Sequence, residues 1–161
     1  MTSVKEIMVT KIVSVKPDDL LRNAVDVLLA NGFNGLPVLD EDGVLIGILT
    51  EFDVIVAGTS IHSPALKRIN ENPDFYKNKN LMKDDVSRIL GMKVKEVMNT
   101  EPFVVKEDAS VEEIMKNFSD HHRINPIPVI DENRHVLGIV SRYDVIKFTK
   151  KTISELADKI K

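Results

Sequence analysis

"GILTEFD", residues 47–53, returns as "GIVSRYD", residues 138–144, and the reading of that recurrence decides the fold. Upstream, "VKEIMVT" at 4–10 matches "VKEVMNT" at 94–100. The first match is offset by 138 − 47 = 91 positions and the second by 94 − 4 = 90, so one residue is inserted between them in the second copy. It falls where "LLANGFN", residues 28–34, faces "SDHHRIN", residues 119–125, at a helix end where an extra residue is readily absorbed. The chain is a tandem repeat, and one copy must be understood through its packing on the other.

Period and punctuation give the elements of each copy. In the first, "KIVSV" (11–15) reads as a short strand. "PDDLLRNAVDVLLANG" (17–32) reads as a helix, with Pro17 and two acids at its start, Leu21, Ala24, Val25 and Leu28 at helical spacing, and Gly32 at its end. "GLPVLD" and "VLIGILT" are β-rich runs separated by the hairpin signal "EDG", and a second helix opens at Thr50. The second copy repeats this order: "PFVVK", a helix from Ser110 with Glu113 three residues on, "PIPVID", a turn at "ENRH", "VLGIVS", and a helix from Ser141. The expected fold is α+β, with β-α-β-β-α written twice. A three-stranded sheet with two helices leaves apolar surface uncovered, so the copies should pack around a pseudo-twofold axis and leave two equivalent clefts between them.

Composition limits the function classes. With 161 residues, 43% hydrophobic and 29% charged, the chain is ordinary globular material, and 5% aromatics implies an aliphatic core. A net charge of −3 supplies no basic field for nucleic acid or an anionic membrane. The absence of cysteine removes disulfide and thiolate chemistry and fits a reducing compartment. The N-terminal stretch alternates charged and apolar residues, so no signal peptide or membrane span is expected there and the protein reads as cytoplasmic.

Thr50-x-x-Asp53 and Ser141-x-x-Asp144 each precede an apolar helical run, the pattern of a helix N-cap contributing about 1 kcal/mol. Repetition alone does not exclude the cap, since shared ancestry and helix stability would also write it twice.

The element order, "LPVLD" with "IPVID", and above all the twice-written G-h-h-[ST]-x-x-D resemble a tandem pair of cystathionine-β-synthase (CBS) domains, a Bateman module. The likeness spans most of the chain: residues 1–60 as the first motif, 61–92 as an insert, and 93–161 as the second motif with an extended C-terminal helix. It implies a stand-alone regulatory module, not an enzyme, that binds AMP, ADP or ATP between the motifs and signals by conformational change to a partner protein. S-adenosylmethionine or NAD as ligand, or a ligand-free adaptor, are the alternatives it leaves. By the same resemblance Asp53 and Asp144 bind ribose hydroxyls, and Thr50 and Ser141 contact ribose or phosphate. The adenine slot maps to Thr10, Ile12, Val13, Phe33, Asn34 and Gly35 in the first copy, and to Thr100, Pro102, Phe103, Ile124, Asn125 and Pro126 in the second. Members of the family often pair into disc-like homodimers, so one is expected.

The copies differ where Glu51 faces Arg142. Arg142 can bind phosphate bidentately and Glu51 would repel it, so the second site is expected to be the better phosphate binder. His121, His122 and Arg123, in the insertion, can add to a phosphate pocket or form a plain surface loop. No metal site is expected: "DEDG" lacks the later ligands of a calcium loop, and His62, His121, His122 and His135 lack paired-ligand spacing. No Walker loop, dinucleotide fingerprint or nucleophile elbow appears. The polar connection at 57–92, broken by Pro64 and Pro73, is long enough to suggest a lid or docking surface, with two short helices. Ile146, Ile153 and Ile160 recur every seven residues with Leu156 between, a stripe that can seal a homodimer or pack back on its own copy.

Overall fold

A computed structural model describes residues 2–58, 88 and 90–160. Residues 59–87, with most of the connection between the copies and His62, lie outside that range, and so does the expectation of helices, a lid or a docking surface there.

After a 3-10 turn at Val4–Glu6, the first copy comprises α1 (Leu21–Asn31), β1 (Gly35–Leu39), β2 (Leu45–Thr50) and α2 (51–58). The second repeats the series as a 3-10 turn at Val94–Glu96, α3 (Val111–Asp120), β3 (Ile127–Ile130), β4 (Val136–Val140) and α4 (Arg142–Ile160). Leu21, Ala24 and Leu28 of α1 are buried at the spacing of one helix face, and the helix stops at Gly32, whose φ of 63° costs nothing without a Cβ. Pro17 and its acids precede this helix rather than opening it: Lys16 N–H donates to Asp19 Oδ2 at 2.8 Å, closing a turn, and α1 begins only at Leu21. In α3 the expected cap is present, with Ser110 Oγ accepting from Glu113 N–H at 3.1 Å.

Each sheet is an antiparallel hairpin, β1 with β2 and β3 with β4, pairing Val38 with Gly47 and Val129 with Gly138. The expected first strands contribute one parallel bridge each, Val15 to Val38 and Val105 to Val129, not a full ladder. Prolines cause this. Val15 N–H donates to Pro37 O and Leu39 N–H donates to Val15 O, so the next rung would need a donor at Pro37, which has no N–H. Pro128 stops the second ladder in the same way, beyond the bond from Val105 N–H to Pro128 O. The carbonyls of Val13 and Phe103 are thereby left outside the sheet hydrogen bonds among the described residues.

The leading segments are exchanged. Val4 N–H donates to Ala109 O at 2.7 Å, and fully buried Val4 sits in the second core with Ile114, Ile127, Val129 and Val140. Val94 N–H donates to Asp19 O at 2.9 Å, and Val94 completes the first core with Leu28, Leu36, Val38 and Leu49. Each segment then crosses the other copy's last strand, through reciprocal bonds between Val9 and Ile139 and between Asn99 and Ile48. The motif glycines make room for that crossing: a Cβ at Gly47 would stand 2.8 Å from Asn99 O and 2.9 Å from Met98 Sδ. Outside the second exchanged segment, Asp18 accepts from Lys93 Nζ at 2.7 Å and meets Lys95 Nζ at 2.8 Å. Hydrogen bonds from Lys93 and then Lys95 hold its carboxyl down at about 2, from an ordinary 3.8.

The hairpin tips join the copies directly. Asp40 Oδ1 accepts from the N–H groups of Asp42 and Val44, and Asp131 Oδ1 from those of Asn133 and His135, two matching Asx turns. Val44 bridges His135, and Leu45 N–H donates to Arg134 O at 3.0 Å. "DEDG" is therefore a turn at the junction of the halves.

Candidate functional site

Thr50 ends β2 and Asp53 lies in the first turn of α2. Thr50 N–H and Oγ1–H both donate to Asp53 Oδ2, at 2.8 and 2.6 Å, and Asp53 N–H returns a bond to Thr50 Oγ1 at 3.4 Å. Ser141 and Asp144 repeat the arrangement at 2.9, 2.6 and 3.4 Å. The cap reading of the motif is thus realised twice. It consumes only one carboxylate oxygen of each pair: Asp53 Oδ1 has no hydrogen-bond partner among the described residues, and Asp144 Oδ1 has only Lys147 Nζ at 3.5 Å. Cap and ligand contact are compatible in one side chain.

Both pairs open onto cavities, and each cavity takes its two walls from different copies. The larger, about 530 Å³, sets Ser141 and Asp144 opposite Val13, Phe33, Asn34 and Gly35. The smaller, about 240 Å³, sets Thr50 and Asp53 opposite Pro102, Phe103, Ile124 and Asn125. Pro126 lines both, at the contact between the halves where a Cβ on Gly35 would come within 2.7 Å of Pro126 Cδ. The carbonyls that Pro37 and Pro128 leave out of the sheets belong to Val13 and Phe103, one residue lining each cavity. A small planar ligand could bond to backbone at one end and to a carboxylate at the other.

Thr10, Ile12 and Thr100 line neither cavity; their neighbours do, Val9 and Lys11 in the larger and Asn99 in the smaller. Arg142 lines neither as well. Its Nη2 donates to His122 O at 2.8 Å and His121 O at 3.3 Å, and its N–H donates to Asn125 Oδ1 at 3.2 Å. The inserted residues after α3 expose those carbonyls, and the guanidinium satisfies them, so the expected phosphate ligand is engaged elsewhere. Glu51 is likewise turned aside, accepting from Asn34 Nδ2 at 3.0 Å. The cation that does line the smaller cavity is Arg123, with its guanidinium 4.6 Å from the Phe52 ring centre. Phe52 and Tyr143, lining opposite cavities, are the aromatic residues before the acid in "EFD" and "RYD", a repeated signal that the sequence displayed.

Among the described residues no group of three or more His, Asp or Glu side chains could hold a metal ion, and no helix is long and apolar enough to cross a membrane.

Two repeated units with exchanged leading segments and paired inter-copy cavities define a tandem module, and the comparison with known proteins gives the class its name. The chain belongs to the CBS domain family, whose model matches residues 4–59 and 94–151. It is 30% identical over 153 residues to the uncharacterized protein MJ1426 of Methanocaldococcus jannaschii, covering 89% of each chain. It is 28% identical over 145 residues to inosine-5'-monophosphate dehydrogenase of the same organism, but spans only 23% of that longer protein against 90% of its own length. Its fold is similar to the crystal structure of CBSX2 in complex with AMP, with a TM-score of 0.70, 20% identity, and coverage of 94% of this chain and 98% of that one. CBSX2 is a CBS-pair protein of Arabidopsis thaliana.

Proposed function

We propose that the protein is a regulatory module that binds an adenine nucleotide, AMP, ADP or ATP, in the cavities between its CBS motifs and passes the resulting change in their packing to a separate protein, without chemistry on the ligand. The observation that carries this reading is the inter-copy construction of the larger cavity. Asp144, with one carboxylate oxygen outside its cap bonds, faces Val13, Phe33 and Gly35 of the other copy across about 530 Å³, within the usual size of small-molecule sites. A ligand bridging these walls would bias how the halves sit, which is the requirement for a signal. Exposed Ile146, Ile153 and Ile160 on α4 support a homodimer as the working form, and a chain without cysteine suits a reducing, cytoplasmic setting.

Isothermal titration of nucleotide-stripped protein with AMP, ADP, ATP, NAD and S-adenosylmethionine tests the proposal. Micromolar or tighter binding of an adenine nucleotide, about −8 kcal/mol, that is lost in Asp144→Ala while the fold is retained supports it. The hydrogen bonds within Thr50–Asp53 and Ser141–Asp144 also favour a second reading, a ligand-free adaptor with two well-made caps. Silence toward all five compounds would put that reading first.

A further inference from the structure

The two cavities are related by the repeat but are not alike. One measures about 530 Å³ and the other about 240 Å³, below the roughly 300 Å³ at which small-ligand pockets usually begin. Several matched lining positions differ, with Phe103 at the place of Val13 and Pro126 at that of Gly35, and one of them adds a charge. Counting back from the equivalent Asn34 and Asn125, Arg123 occupies the place of Gly32. Gly32 brings no side chain to the larger cavity, and a Cβ built there would meet nothing within 4 Å. Arg123 instead lies over Phe52 on the wall of the smaller one.

Among the described residues the Arg123 side chain makes that stack and no hydrogen bond or ion pair. A guanidinium on an exposed ring is weakly held, and a phosphate offers it charge-assisted, bidentate hydrogen bonds that a ring face cannot match. An uncharged ligand offers no such exchange, so it would have to displace the stack without compensation. The larger cavity has no corresponding obstruction: Gly32 stands at the matched place, and Lys11 is the cation on its wall.

We infer that the cavities differ in ligand requirement: the Ser141–Asp144 cavity accepts an adenine nucleoside with or without phosphate, whereas the Thr50–Asp53 cavity is phosphate-dependent, opening when a phosphate draws Arg123 off Phe52. This deepens the nucleotide-binding reading above and rests on it.

The test is titration with adenosine and with AMP of the parent chain and of Asp53→Ala, Asp144→Ala, Arg123→Ala and Phe52→Leu. In the parent, adenosine should fill one site per chain, lost in Asp144→Ala and kept in Asp53→Ala, while AMP fills two. Arg123→Ala should reduce the preference for AMP over adenosine at the Thr50–Asp53 cavity by about tenfold or more, the scale of a charged hydrogen bond. Phe52→Leu, which keeps the cation and removes the ring, should admit adenosine to that cavity. Adenosine filling two sites in the parent, or an unchanged AMP preference in Arg123→Ala, overturns the inference while leaving nucleotide binding intact. Absence of binding by both compounds overturns the nucleotide reading and this inference with it.

Discussion

Met8 lies directly on Gly138: a Cβ at position 138 would stand 2.5 Å from the Met8 sulfur and 2.8 Å from its Cγ. The glycine that opens "GIVSRYD" is thus fixed by a side chain 130 positions earlier, not by backbone torsion, since its φ is not positive. Gly138→Ala should therefore destabilise the fold by about 1–3 kcal/mol, the cost of overpacking. In a Met8→Ala background the same change should cost distinctly less. Denaturant unfolding of the four proteins of this cycle measures the coupling; equal costs in both backgrounds would refute the packing argument.

The two roles of the acids can be separated by a control elsewhere. Asp53→Ala should lose about 1 kcal/mol of stability and its share of nucleotide binding. Ser110→Ala removes an N-cap hydroxyl from α3, at the bond from Glu113 N–H, and should lose a similar stability with nucleotide affinity unchanged. Paired thermal melts and titrations distinguish the two.

Asp18 gives a pH dependence of definite sign. Its carboxyl sits at about 2 in the folded protein, below its ordinary 3.8, because Lys93 and Lys95 donate to it. The stabilisation is complete above about pH 4 and is lost as pH falls toward 2, since the unfolded chain binds the proton first. Asp18→Asn should flatten the melting-temperature profile across that window, and about 1 M salt should shrink the difference, because all three side chains are exposed.

Pro37→Ala would restore an N–H aimed at Val13 O. The expected result is a longer first strand and weaker binding in the larger cavity, by several-fold, as that carbonyl is taken by the sheet. An unchanged affinity, by titration, would mean that the ligand does not use Val13 O.

For the homodimer proposed above, Ile153→Lys places a charge at the middle of the exposed α4 stripe and should give a monomer in size-exclusion chromatography with light scattering, with a melting temperature that no longer rises with protein concentration.

Much of this was legible from residues. The repeat, both hairpins, the turns at "EDG" and "ENRH" and the acid–hydroxyl pairs follow from local pattern, and local pattern is what these elements obey. Pro37 and Pro128 were a readable warning that the first strands could not extend far. The exchange was not legible: "VKEIM" and "VKEVM" are nearly identical, and nothing within either says which core it joins. Nor could sequence choose between Arg123 and Arg142. Which cation faces a cavity depends on where the carbonyls of His121 and His122 point, and that is set by how the inserted residue leaves α3.

The exchanged segments also impose an order on synthesis. When the ribosome has completed the hairpin of the first copy, Val94 and Met98, which cap that hairpin's core, have not yet been made. The core of the first copy must wait until the second copy has begun, while Val4 and Met8, made first, wait longer still for the strands they cover. The two repeats therefore mature as one folding unit, and severing the chain between them would yield fragments that each carry a piece of the other's interior.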